Sequence, residues 1–162
     1  MQTITPCLWF DDQAEEAAKF YTAIFNNSAI KKITYYGPAG FEFHNKPAGS
    51  VMTVEFELNG QAYTALNGGP TFRFNEAISF QVSCKTQGEV DYYWEKLSHG
   101  GDLQAQQCGW LKDQFGVSWQ IVPEILSEWL GNGTTEQSQR VMETLKQKKK
   151  LEIAKLESAY QS

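Results

Sequence analysis

Hydrophobic and polar positions change period several times along the chain, and each change marks an element. Residues 3–10, TITPCLWF, are short and rich in β-branched and aromatic side chains, which predicts a strand ending at Asp11-Asp12. The next run, AEEAAKFYTAIF, puts Ala14, Ala17, Ala18, Tyr21, Ile24 and Phe25 on one helical face. Asp12 with Glu15 three residues later predicts a capping box at the start of that helix. A weaker strand, KKITYY, follows, and then a Gly- and Pro-containing loop from Gly37 to Ser50 placed to lie over a cleft. VMTVEFEL and QAYTALN then alternate around Asn59-Gly60, the residues a two-residue hairpin turn requires. The first half therefore reads β-α-β-β-β.

The second half repeats that order. AISFQVSC predicts a strand, and TQGEVDYYWEKLSHGG a helix that starts on a Thr86/Glu89 capping box, buries Val90, Tyr93, Trp94 and Leu97, and stops at Gly100-Gly101. A short strand is expected near Leu103 to Gln107, another around Gly109 to Lys112, and a last one, VSWQIV, after a turn. The two helices begin on similar triplets, Gln13-Ala14-Glu15 and Gln87-Gly88-Glu89, 74 residues apart, so a duplicated β-α-β-β-β unit is the simplest account. The pattern is α+β: two tandem β-α-β-β-β modules forming curled mixed sheets around a cleft, followed by C-terminal helices. The expected boundaries are a paired domain at 1–123, with modules at about 1–74 and 75–123, and a helical extension at 124–162.

In that extension PEILSEWLGNG predicts a short helix between Pro123 and Gly131, and a longer helical run is expected from about Thr135 to Tyr160. The run's apolar stripe, Val141, Met142, Leu145, Leu151, Ala154 and Leu156, needs a covering surface, either this domain or a second subunit. A homodimer is expected. Lys148-Lys149-Lys150 reads as a solvated helix face.

Composition narrows the partners. At 162 residues, 41% hydrophobic, the chain can bury a substantial core without disulfides. Fourteen Lys and Arg against 19 Asp and Glu give a net charge of −5, which offers no positive field for nucleic acid or an anionic membrane surface. No apolar run approaches a membrane span, and MQTITPCLWFDD does not have the form of a secretory leader. Cys7, Cys84 and Cys108 are dispersed and odd in number, which fits a reducing, cytoplasmic setting.

Four stretches, ITPCLWFDDQAEEAAKFYTAIF, VEFELNGQAYTALNGGP, VDYYWEKLSHGG with GWLKDQFGVSWQIVP, and RVMETLKQKKKLEIAKLESAY, together resemble the vicinal-oxygen-chelate superfamily, which includes glyoxalase I, extradiol dioxygenases and fosfomycin-resistance proteins. The likeness is greatest to the PhnB-like branch, whose members often carry the label 3-demethylubiquinone methyltransferase. The resemblance implies that each module's sheet curls with its helix on the convex side, and that paired modules enclose a cleft for a small ligand. Metal-dependent members place a His on the first strand of a module and a Glu near the end of the last. The matching positions here are Thr5, Asn67 or a close neighbour, Ser79 and Gln120. None is a strong ligand, so the resemblance implies a site without an intrinsic transition metal, and no cofactor. Thr53 is a further departure, standing where some PhnB-like relatives carry His.

The remaining candidates come from strand parity. In strand 51–58, Met52, Val54, Phe56 and Leu58 would face the helix, leaving Thr53, Glu55 and Glu57 on the cleft face, where the two carboxylates are candidate general bases. Trp9 and Tyr63 are expected to share that face with Thr5, Cys7 and Asn67, an aromatic wall with a few polar groups. Cys7 reads as a buried, unreactive thiol, His99 as a partner of a helix C-terminus, and Trp110 and Trp119 as packing residues. Gly68-Gly69-Pro70 is not followed by a predicted helix, so it is no cradle for a nucleotide-type methyl donor. Three functions follow: binding of a small polar or aromatic metabolite, a lyase or isomerase of a small carbonyl or phosphonate compound using a Glu base, or an interaction module acting through the last helix.

Overall fold

In the computed structural model, which describes residues 1–162, the chain divides into two compact units, Met1–Phe74 and Asn75–Ser162. The first unit runs β1 (Cys7–Phe10), α1 (Ala14–Ile24), β2 (Ala29–Tyr35), a four-residue α2 (Phe41–His44), β3 (Val51–Leu58) and β4 (Gln61–Asn67). Its sheet has the order β1-β4-β3-β2, with β1 parallel to β4 and the other pairs antiparallel.

Alternation gives this sheet one covered face. Leu8, Phe10, Val54, Phe56, Leu58 and Ala65 are buried, as are Ala14, Ala17, Ala18, Tyr21 and Ile24 of α1, whose small alanines let helix and sheet approach closely. Asn59 (φ 49°) and Gly60 (φ 82°) both adopt the left-handed conformation that a tight β3–β4 turn needs. That turn pairs Leu58 with Gln61 and, two steps on, Phe56 with Tyr63, so Tyr63 lies on the covered face, where it and Tyr21 both stack on Phe56. The expectation that Tyr63 would share a face with Cys7 and Trp9 is thereby corrected.

A second correction concerns the start of α1. No side chain caps the helix from Asp12 or Gln13. Instead the Ala14 N–H donates to Asn67 Oδ1 at 2.8 Å from the far end of β4, and Asn67 Nδ2 donates to the Val51 carbonyl at 3.1 Å. Asn67 is buried, and a helix start this deep needs an acceptor that water cannot supply.

The second unit runs β5 (Ser79–Cys84), α3 (Gln87–Ser98), a 3-10 turn (Leu103–Ala105), β6 (Trp110–Lys112), β7 (Ser118–Pro123), α4 (Leu126–Gly131), α5 (Thr135–Lys146) and α6 (Ile153–Gln161). Its sheet is three-stranded, β5-β7-β6, with β5 parallel to β7. The strand expected near Leu103–Gln107 is absent because Asp102 Oδ1 accepts from Gln104 N–H and closes a 3-10 turn, leaving one bridge between Gln107 and Trp110. Thr86 caps α3 as expected, accepting from Glu89 N–H.

The expected long terminal helix is two. Between α5 and α6 the chain extends: the carbonyls of Lys148 and Lys149 accept from Cys108 and Gly109 N–H, and the Gln87 side chain clamps the next turn by donating to Leu151 O and accepting from Ile153 N–H. Lys150 pairs with Asp91 at 2.8 Å, so the lysine triplet is a docked connector and not a helix face. Leu126, Trp129, Val141, Leu151 and Leu156 form a core cluster, so these stripe positions are covered inside the chain's own second unit.

Candidate functional site

With α1 on one side, the first unit's sheet carries on its other face the row Cys7–Thr64–Glu55–Lys32 and, one step on, Trp9–Leu66–Thr53–Thr34. Register places these side chains together because direct cross-strand partners point the same way. The face is graded. At one end lie Trp9 and Leu66; at the other Thr34 and Thr53 share a hydroxyl–hydroxyl bond of 2.5 Å. Glu57 is held by Lys31 at 3.6 Å, and Glu55, opposite Lys32, is exposed.

Trp9 is fixed by its own unit. Its indole N–H donates to Gly69 O at 2.9 Å, Phe72 meets it edge-on at 5.0 Å, and the ring lies so close over Gly68 that a Cβ there would sit 2.3 Å from it. The glycine pair therefore serves indole packing, and no helix follows it. Tyr36, which sequence reasoning passed over, reaches the same strand end: its hydroxyl donates to Asn67 O, and its ring meets His44 at 4.4 Å. Burial raises the Tyr36 hydroxyl above its ordinary value. His44 is engaged within its own loop, where Nδ1 accepts from Lys46 N–H and Nε2 lies 3.2 Å from Ala39 O. Cys7 is exposed as a residue, contrary to the buried position expected, yet partial burial of the thiol raises its pKa and keeps it protonated. Thr5 precedes β1 and is exposed.

In the second unit Gln120 and Ser79 do meet. Gln120 Nε2 donates to Ser79 Oγ at 2.9 Å, and Gln81 Nε2 approaches Gln120 Oε1 at 3.4 Å. The adjoining turn is built around Asp113, which is buried. Its Oδ1 accepts from Phe115 and Val117 N–H and its Oδ2 from the Trp119 indole at 2.9 Å, while Gly116 (φ 90°) turns the chain.

No group of three or more His, Cys, Asp or Glu side chains is arranged to hold a metal ion. The donor set at Thr5, Asn67, Ser79 and Gln120 comprises two hydroxyls and two neutral amides, and both polar atoms of Asn67 are committed to backbone. These residues do not fit a transition metal.

Residues 2–122 match the family model described as 3-demethylubiquinone-9 3-methyltransferase. The chain belongs to this PhnB-like family. A PhnB protein of Bacillus cereus, described as a 3-demethylubiquinone-9 3-methyltransferase, is 36% identical over 75% of this chain and 99% of its own, with a TM-score of 0.64. Protein PA1353 of Pseudomonas aeruginosa (19% identity, 76% and 98% of the two chains, TM-score 0.57) has the same fold. So does the fosfomycin-resistance protein FosX of Listeria monocytogenes, complexed with Mn(II) and sulfate (14% identity, 81% and 96%, TM-score 0.54). The vicinal-oxygen-chelate fold expected from the sequence is thus the fold of this family member. No curated protein matches the chain.

Proposed function

We propose that this PhnB-like protein binds a small polar or aromatic metabolite on the open face of its first sheet, without an intrinsic transition metal. The observation that carries the reading is the graded face: Trp9 and Leu66 offer apolar area at one end, and the Thr34–Thr53 pair and Glu55 offer polar groups at the other. A few fixed polar groups beside an aromatic wall are what a small-molecule site needs. Cys7, on the same strand as Trp9, borders the aromatic end, and Thr5 precedes that strand. Of the residues first considered, Asn67 and Tyr63 support the site from the covered face. We take the protein to be a cytoplasmic homodimer.

The test is a melting-temperature screen against a metabolite panel, repeated on Trp9→Ala. A hit that stabilises the parent protein and not the variant supports the site; hits unaffected by Trp9→Ala place the ligand elsewhere. About one tightly held zinc, nickel or manganese per chain in protein purified without chelator sinks the metal-free reading.

A second reading, a lyase or isomerase acting on a small carbonyl or phosphonate compound, is favoured by one observation. Glu57 is tied to Lys31, whereas no ion pair holds Glu55, which makes Glu55 the better base. A ligand covering this exposed carboxylate would supply the desolvation a general base uses. Turnover of a screening hit that Glu55→Gln abolishes and Glu57→Gln spares favours the enzyme. Methyl transfer is not part of either reading, because the space over Gly68, where a glycine cradle for a nucleotide-type donor would have to open, is filled by the Trp9 ring.

A further inference from the structure

Ser118 sits at the start of β7, 1% exposed, and its hydroxyl has no hydrogen-bond partner in the protein. Buried polar atoms are nearly always satisfied, so a buried hydroxyl left unpaired beside other polar groups needs an explanation. Register supplies the neighbours. Ser118 pairs directly with Ser79 of β5 on one side and Lys112 of β6 on the other, so the three side chains share one face and form a row across the three strands. The next row on that face is Gln81–Gln120–Trp110.

Every polar group in the row has a proton to donate. Ser79 Oγ accepts from the Gln120 amide, which leaves its own proton to donate outward. The Ser118 proton is unused, and Lys112 carries an ammonium whose one ion-pair partner, Glu76 at 2.5 Å, is exposed and able to swing away. Two hydroxyl donors and an ammonium in line suit an oxyanion and repel a cation, the opposite of a metal centre. Past Glu76, the partner of Lys112, lies a cavity of about 400 Å³ lined by Glu76, Ala105, Gln107, Cys108 and Trp110, with an indole as one wall; the row itself does not line it, and Glu76 has to swing away before an anion reaches Lys112 from that side.

We propose that Ser79, Ser118 and Lys112 form an oxyanion-binding row that takes the carboxylate or phosphate group of a small molecule. Gln120 acts as a positioning residue: its amide turns the Ser79 hydroxyl so that the proton faces the anion. The row belongs to the second unit and stands or falls apart from the Trp9 face of the first.

The test uses the full chain with sodium phosphate and sodium acetate as probes, against sodium chloride at matched ionic strength, read by melting temperature and tryptophan fluorescence. At about ten times the half-saturating concentration, a bound anion raises the melting temperature by about 3–6 °C. Ser118→Ala is expected to weaken that binding about tenfold or more, the loss typical of one hydrogen bond to a charged group. Without anion the same variant is expected to be at least as stable as the parent, because it deletes an unpaired hydroxyl. Lys112→Gln is a second variant expected to abolish the shift. The relative size of the phosphate and acetate shifts decides between the two anion classes. The proposal is overturned if neither anion stabilises beyond chloride, or if Ser118→Ala binds as the parent does. It is overturned equally if Ser118→Ala destabilises the anion-free protein, which would mean that water already satisfies the hydroxyl.

Discussion

Replacing Asn67 with Ala separates the two roles that sequence and structure assign to this residue. As a ligand contact, Asn67 could be truncated with loss of binding and little effect on folding. As the structural cap of α1, it cannot. The Ala14 N–H is buried and donates to Asn67 Oδ1 at 2.8 Å, and no other side chain caps this helix. Losing an N-cap costs about 1 kcal/mol, and a donor left buried without an acceptor costs about 1–3 kcal/mol, overlapping contributions that centre near 2 kcal/mol. Val51 O also loses a donor. For a chain of this size about 2 kcal/mol lowers the melting temperature by roughly 4–8 °C. Asn67→Asp keeps the acceptor for Ala14 N–H and puts a negative charge at the helix N-terminus, but it too leaves Val51 O without a donor, so at neutral pH it is expected to cost about 1 kcal/mol or more while keeping the Ala14 bond. Urea unfolding gives the free energies, and hydrogen exchange at the Ala14 amide reads the bond itself, which Asn67→Ala should deprotect and Asn67→Asp should not. If Asn67→Ala changes stability by less than about 0.5 kcal/mol and leaves Ala14 protected, the capping argument fails and the ligand role returns.

Three further perturbations bear on the same framework. Gly68→Ala drives a methyl group to 2.3 Å from the Trp9 ring, so it is expected to destabilise by about 1–3 kcal/mol and shift tryptophan emission, and unchanged emission would refute the close approach. Gln87→Ala removes both bonds to the α5–α6 connector, so limited proteolysis within residues 147–153 is expected to accelerate while the α1 region stays protected. Burial pushes the Cys84 thiol up from 9.0 to about 11, with the Glu89 charge adding to it. Between those values the unfolded chain releases the proton and the folded chain keeps it, so the stability present below pH 9 is lost as pH rises towards 11. Alkylation near pH 9 should therefore modify Cys7 well before Cys84, and equal rates would contradict the burial.

What the sequence made legible were features governed by local chemistry. Period changes located α1, α3 and most strands, Asn59-Gly60 specified the hairpin, and Thr86 marked a cap that the structure has. Misreadings arose where a distant residue outcompeted a local one. Asp12 and Glu15 fit a capping box, but Asn67, 53 residues from the helix start, fills the role. Thr135 to Tyr160 looks helical throughout, but Cys108, Gly109 and Gln87 offer the connector's backbone better partners than helix would. The misplacement of Tyr63 was avoidable. A two-residue turn at Asn59-Gly60 fixes the partner of Phe56 as Tyr63, and direct partners share a face. Likewise Ser118 and Lys112 could have been found by carrying the register of Ser79 and Gln120 one strand further, whereas the unpaired state of the Ser118 hydroxyl is visible only in three dimensions.

The stretch GWLKDQFGVSWQIVP shows why a preserved motif and a preserved site are different things. Its turn could be taken for the shell of a metal centre that has exchanged its carboxylate for Gln120. In the structure, Asp113 spends both oxygens on Phe115 N–H, Val117 N–H and the Trp119 indole, so the turn is closed by its own backbone and one core side chain. Trp119 and Gln120 are adjacent in β7 and point to opposite faces, the first into the core and the second towards Ser79. Nothing in the turn's hydrogen bonding reaches the side chain at 120. The scaffold is therefore indifferent to whether that position carries a carboxylate or an amide, and its persistence is no argument for a metal. What position 120 does is set by its cross-strand neighbours, Gln81 and Trp110, and by Ser79, whose hydroxyl it orients.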